Sequence, residues 1–161
     1  MYNIGDKILY PPHGAGIIED IEEKKVLGKK QFYYIMKMPS EGMKVMIPAE
    51  SSGEIGIRFV IGDEDGKKAL KKFRDEPICD DSNWNRRQRE NISKIKSGDI
   101  YQVLAVVKNL MYREKKKGLS TRERKMLVTS RQIFVSEIVL SGAASMSDVE
   151  RIMEDTVSKL L

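Results

Sequence analysis

A chain of 161 residues with 40% hydrophobic residues has room for one ordinary domain or two small ones and enough apolar material for a real core, which excludes a disordered chain. Its formal charge of +5 is unevenly spread: residues 1–66 carry 8 lysines and arginines against 11 acidic residues, and residues 67–161 carry 21 against 13. No apolar run is long enough to cross a bilayer, and one cysteine (Cys79) with one histidine (His13) excludes an internal disulfide and an ordinary four-ligand zinc site.

The first part reads as strands. Lys7 to Tyr10 is a short apolar run closed by Pro11-Pro12 and Gly14, and Gly16 to Ile21 continues with β-branched residues. Gly28 marks a turn, Gln31 to Met38 favours a strand, Ser40-Glu41-Gly42 is a short hairpin turn, and Met43 to Ile47 returns before Pro48. Four or five short strands in residues 1–66 predict a small, strongly bent antiparallel barrel of the SH3 or Tudor type. Such a barrel keeps an edge, and an unpaired edge can accept a strand of another protein or of a second copy of the chain.

From Lys67 onward the pattern is helical. Lys67 to Arg74 predicts a short helix, stopped before Pro77, with Gly62-Asp63-Glu64-Asp65-Gly66 ahead of it as a solvated acidic turn. The stretch from Asp80 to Gly98 holds the only tryptophan, Trp84, with Arg86, Arg87 and Arg89 close behind it and Ser82 and Asn83 as candidate caps. A helix over Asn83 to Lys96 follows, in which Ile92 and Ile95 share a buried face while the arginines project elsewhere. An indole at such a helix start fits two uses, a core residue or a wedge against a base pair. Asp99 caps a third helix running to Gly118 with Ile100, Val103, Leu104, Val107, Leu110 and Met111 on its apolar face. Ser120 and Glu123 form a capping box for a long fourth helix, and Ser147 and Glu150 for a last one with Val149, Ile152, Met153, Val157 and Leu160 inward. The expected class is therefore α+β: the barrel over residues 1–66, then a compact all-α domain over residues 67–161.

No catalytic constellation emerges, so an enzyme is not expected and no cofactor is implied. His13 lies in a tight turn, Cys79 has no CxxC partner, the acidic turn lacks the alternating spacing of a calcium loop, and neither a P-loop nor a dinucleotide fingerprint occurs. Basic side chains carry more information. Besides Arg86, Arg87 and Arg89, a second group comprises Arg113, Lys115, Lys116, Lys117, Arg122, Arg124 and Lys125, bracketing Gly118. Lysine-rich helices are also simply soluble; it is the combination with Trp84 that favours DNA over a merely solvated face.

The start IGDKILYPPHGAGIIEDIE, the hairpin GMKVMIP, the segment NWNRRQRENISKIKSGD and the later GLSTRERKML resemble the CarD (also CdnL) family of bacterial transcription regulators over essentially the whole chain. The N-terminal part is also similar to the polymerase-binding module of the transcription-repair coupling factor. The resemblance implies a Tudor-like domain that docks by strand pairing on the β subunit of RNA polymerase. It further implies a helical domain that touches promoter DNA at the upstream edge of the bubble, in the complex with the housekeeping sigma factor, and stabilises the open complex. By the same resemblance the tryptophan wedge falls on Trp84 and the DNA contacts on Arg86, Arg87, Arg89 and Arg124. Polymerase contacts fall on Lys24 and on Met46, where some members carry arginine, with Lys44 beside it as a substitute charge. A cytoplasmic, nucleoid-associated monomer is implied, with no membrane partner and with a strand-swapped dimer as the variant. The rival reading is a protein interaction module that binds RNA polymerase without direct DNA contact.

Overall fold

The computed structural model describes residues 1–161 except Glu41, Ser51 and Asp80. Five strands come first: β1 (Lys7–Tyr10), β2 (Gly14–Val26), β3 (Lys29–Lys37), β4 (Lys44–Pro48) and β5 (Arg58–Phe59), with the short helix α1 (Ser52–Ile55) before β5. They form one antiparallel sheet in the order β4-β3-β2-β1-β5, so β4 and β5 are its two edges. β2 is longer than the sequence pattern predicts and runs out with β3 into a projecting hairpin; a register shift between Ile18 and Asp20 bends it. The predicted turn before β4 is closed by the Met43 N–H donating to Ser40 O at 3.3 Å, while its Glu41 lies outside the described residues.

Alternation along β1 splits the core in two. Ile8 joins Ile18, Tyr34, Met36, Met38 and Ile47 in a core on one side of the sheet, whereas Leu9 and Ala15 belong to the core of the helices. Those helices are α2 (Asp63–Asp75), α3 (Trp84–Lys96), α4 (Ile100–Lys116), α5 (Thr121–Ser141) and α6 (Met146–Ser158). The acidic run 63–65 is the first turn of α2 rather than a free turn, which places negative charge at the positive end of the helix dipole. The last helix starts two residues earlier than expected: Ser145, not Ser147, caps it by accepting from the Asp148 N–H. Leu160 follows α6's last residue and is exposed rather than inward. Lys108 is buried on α4, where its ammonium donates to Arg74 O at 2.9 Å, capping the end of α2 over the Phe73 ring; burial lowers its pKa.

Sheet and bundle are joined by α5, which lies directly on β2. Ala15 N–H donates to Ser136 Oγ at 2.8 Å, Gln132 Nε2 to His13 O at 2.8 Å and Lys7 Nζ to Leu140 O at 3.2 Å. Gly14 has a φ of 121° and a Cβ there would stand 2.7 Å from Ser136 Oγ, so the Pro-Pro-His-Gly turn needs glycine both for its backbone and for the approach of α5. His13 itself is exposed and stacks on Tyr10. The second link is Arg58. Its guanidinium donates to Glu137 on α5 through two bonds of 2.6 and 2.7 Å, and also to Gly98 O at 2.7 and 3.1 Å. Gly98 follows the end of α3, and Glu137 is 1% exposed and also accepts the Ile61 N–H. One fork thus fastens the sheet edge to both α5 and the foot of α3.

Candidate nucleic-acid interface

Asn83 starts α3 by accepting the Arg86 N–H at 3.0 Å on its side-chain oxygen, which makes Trp84 the first helical residue. The helix body is buried along Arg87, Gln88 and Asn91 with Ile92 and Ile95 half-buried beside them, but its first turn overhangs the bundle. Trp84 is consequently 43% exposed, so a place in the core is not its use.

The arginines behind it divide. Arg89 is exposed on the outer face of α3. Arg86 is exposed too, but it is engaged by Asp81 through two short bonds, Nε to Oδ2 at 2.7 Å and Nη2 to Oδ1 at 2.9 Å. The Arg86 guanidinium, helped by the Asn83 N–H, holds the Asp81 carboxyl down at about 2. That pairing is complete above the ordinary carboxylate value of about 4 and is lost only as pH falls through about 2. Arg87 departs from the expectation that all three arginines face outward. It is 8% exposed; its Nε and Nη2 reach Glu123 at 3.0 and 3.3 Å, and its Nη1 donates to Asp81 O at 2.8 Å. Every edge of that guanidinium is committed inside the protein, so it anchors α3 on α5 and offers no free face to a phosphate.

The same contact alters the predicted capping box. Ser120 Oγ accepts the Glu123 N–H at 3.2 Å as expected, but the Glu123 carboxylate, 2% exposed, turns to Arg87, with Arg113 Nε at 4.0 Å. Since Glu123 faces α3, its neighbours Arg122 and Arg124 lie to either side, both exposed. Arg122 is the one that borders the cleft beside Trp84, together with Arg89, Gln88 and Ile92. Further along this region Lys115 is paired with Glu154 at 3.1 Å and Lys116 sits over the Tyr112 ring. Cys79, exposed, donates its N–H to Asn109 at 2.8 Å and has no part in this arrangement.

On the sheet, the three predicted docking residues share one region. Lys24 Nζ lies 3.7 Å from Met46 Sδ across β3, and Lys44 is two residues from Met46 on the edge strand β4. Both lysines have carboxylates at hand, Glu22 at 3.7 Å for Lys24 and Glu19 at 2.6 Å for Lys44; the Glu19 bond raises the Lys44 pKa. Exposed apolar side chains accompany them: Met43 and Met46 on the β4 side, Phe32 on β3, and Val26 and Leu27 at the hairpin tip.

Comparison with known proteins covers nearly the whole chain. Residues 2–61 match the family described as CarD-like/TRCF RID domain, and residues 68–154 match that described as CarD, C-terminal domain. A protein of Bacillus subtilis (strain 168), named "Putative transcription factor YdeB", is 40% identical over 143 residues, which are 88% of this chain and 94% of that protein.

Proposed function

Because the chain belongs to the CarD family, we propose that it regulates transcription by docking on the β subunit of RNA polymerase through the β4 side of its sheet and bracing promoter DNA at the upstream edge of the bubble with the start of α3. The observation that carries this reading is Trp84, a 43% exposed indole on the first residue of a helix whose own stem is clamped to the bundle. A flat ring held rigidly above an electropositive cleft gains energy where base pairs are already parting, because it stacks on the exposed step instead of paying to open it. Arg89, Arg122 and Arg124 supply the phosphate attraction, which positions without reading sequence. Promoter choice then belongs to the polymerase and its sigma factor. The free edge of β4, with Met43 and Met46 exposed and Lys24 and Lys44 beside them, suits addition to a partner sheet.

Trp84→Ala is the experiment. Its expected stability change is within about 0.5 kcal/mol, as for an exposed side chain. Open complexes formed with the variant should collapse roughly fivefold or more faster, about 1 kcal/mol of lost stacking. Unchanged lifetimes in a folded variant that still binds polymerase would remove the wedge and favour the protein-only module.

Asp81 supplies a second expectation. Asp81→Asn keeps an oxygen for the Asn83 N–H but gives up the charge that detains Arg86. The freed guanidinium should steepen the salt dependence of forked-DNA affinity by about one unit of slope, read by titration between low and physiological salt. A slope no steeper than that of the unaltered chain means that Arg86 does not face DNA.

A further inference from the structure

The hairpin that projects from the sheet ends in a turn that is unfavourable to the fold in two ways. Val26 pairs with Lys29 and leaves Leu27-Gly28 as a two-residue loop, whose φ values of 53° and 79° are both positive, as a type I′ turn requires. Asparagine, aspartate or glycine suits the first of those positions. Leucine crowds its own Cβ against the backbone there, and Leu27 is the only non-glycine residue with a positive φ among the described residues. Its side chain is 100% exposed, so nothing in the chain covers it in return. Charge is the second disadvantage. Lys25 stands directly opposite Lys30, a like-charge pair. Lys24 and Lys30 have Glu22 and Glu23 at 3.7 and 3.8 Å, whereas Lys25 and Lys29 have no carboxylate partner among the described residues.

We propose that Leu27 is an apolar anchor of the polymerase docking surface, entering a socket on the partner protein whose rim of carboxylates pairs with Lys25 and Lys29 on either face of the turn. The inference rests on the docking of the β4 side proposed above and adds an anchor outside that edge strand. Continuity ties the tip to it. Lys24 reaches Met46, and by alternation Lys29 and the 41% exposed Val26 stand on the same face of the sheet as these two. Charge decides between protein and nucleic acid as the occupant. Behind the tip β2 carries Glu19, Asp20, Glu22 and Glu23, and the last two lie against its lysines, well within a Debye length, where they oppose a phosphate backbone. A protein surface with a few acids around an apolar hole suits a basic tip on an acidic stem; a continuous polyanion does not. A leucine on a tight two-residue turn is also held ready, with little backbone left to order on binding.

The test uses the full chain, purified RNA polymerase core enzyme and, separately, a labelled duplex oligonucleotide. Leu27→Asn supplies a residue that the turn favours, so the melting temperature should rise by about 2 °C while affinity for the core enzyme falls about tenfold, the contribution of one buried leucine side chain. Leu27→Met, still apolar, should keep most of the affinity. Lys29→Glu should weaken binding about threefold at low salt and little at high salt. Duplex binding should be the same in all three. Unchanged affinity in Leu27→Asn, or an equal loss in Leu27→Met, overturns the anchor. So does a fall in melting temperature in Leu27→Asn, since the leucine would then be supporting the turn. A loss confined to the duplex would make the tip a nucleic-acid contact and overturn it too. If the unaltered chain does not bind the core enzyme, the docking reading fails and the anchor with it; if it binds and the tip variants bind equally well, docking stands and the anchor alone is lost.

Discussion

Arg87→Ala lowers the melting temperature by roughly 10 °C, the largest loss expected from any arginine of α3. Glu123 is 2% exposed and its carboxylate takes two bonds from this guanidinium, so truncating Arg87 leaves a buried charge with only Arg113 Nε at 4.0 Å and the Ser120 hydroxyl at 3.4 Å. Breaking such a pair from one side costs about 3–5 kcal/mol. At about 2–4 °C per kcal/mol for a chain of this size, the shift is easily read in a thermal melt. The pair is not irreplaceable, however. Arg87→Met with Glu123→Leu removes both charges and should recover most of the loss, because the cost lies in the orphaned carboxylate rather than in the missing attraction. A phosphate-binding arginine would behave in the opposite way, changing the salt dependence of DNA affinity and leaving the melt alone. Full stability in Arg87→Ala would return Arg87 to the arginines proposed to meet phosphate.

Arg58→Ala costs about 3 kcal/mol and divides the unfolding transition. The arginine is the only donor fork that reaches both Glu137 and Gly98 O among the described residues, and Glu137 at 1% exposure is left with the Ile61 N–H alone. Leu9 and Ala15 belong to the helical core, so the unaltered chain should unfold in one step. Loosening the fork lets the sheet separate first. Trp84, the only tryptophan, then reports the bundle while far-ultraviolet dichroism reports both halves, and in urea the two midpoints should part. Arg58→Lys should rescue little, since an ammonium cannot span two acceptors as a planar guanidinium does. Coincident midpoints in Arg58→Ala would show that the α5 contact with β2 is enough to hold the halves together.

How far the site was legible in the sequence depends on which stripe of α3 is followed. Stepping back by fours from Ile95 lands on Asn91 and Arg87, and from Ile92 on Gln88 and Trp84. The pattern therefore held the signal that Arg87 and Gln88 face inward; it was masked because polar residues on an apolar stripe look like solvent-facing ones. Trp84 lies in the same direction yet is exposed, because the helix begins beyond the edge of the bundle. Where a bundle ends is not written in periodicity. The caps fared similarly. Asn83, Asp99 and Ser120 act as expected, but Ser145 and Ser147 both precede an acid by three residues, and pattern alone does not choose between them. Strand β5, two residues long, carries no alternation to detect, although Arg58 on it makes the most consequential contact between the halves.

That contact sets a length scale. Arg58 grips the carbonyl just beyond the foot of α3, and the helix rises 13 residues from there to Trp84, about 20 Å at 1.5 Å per residue. A sheet seated on polymerase would therefore carry the indole at a fixed offset, like the jaw of a caliper. The span is that of about six base steps at 3.4 Å each. In such an instrument one jaw does not search for a sequence; it marks whatever base pair the enzyme brings to that distance. Inserting one helical turn in the stem of α3 would move the mark by about 5.4 Å, between one and two base steps, but would also carry Arg87 off Glu123, so the offset is held by that clamp as much as by the length of the helix.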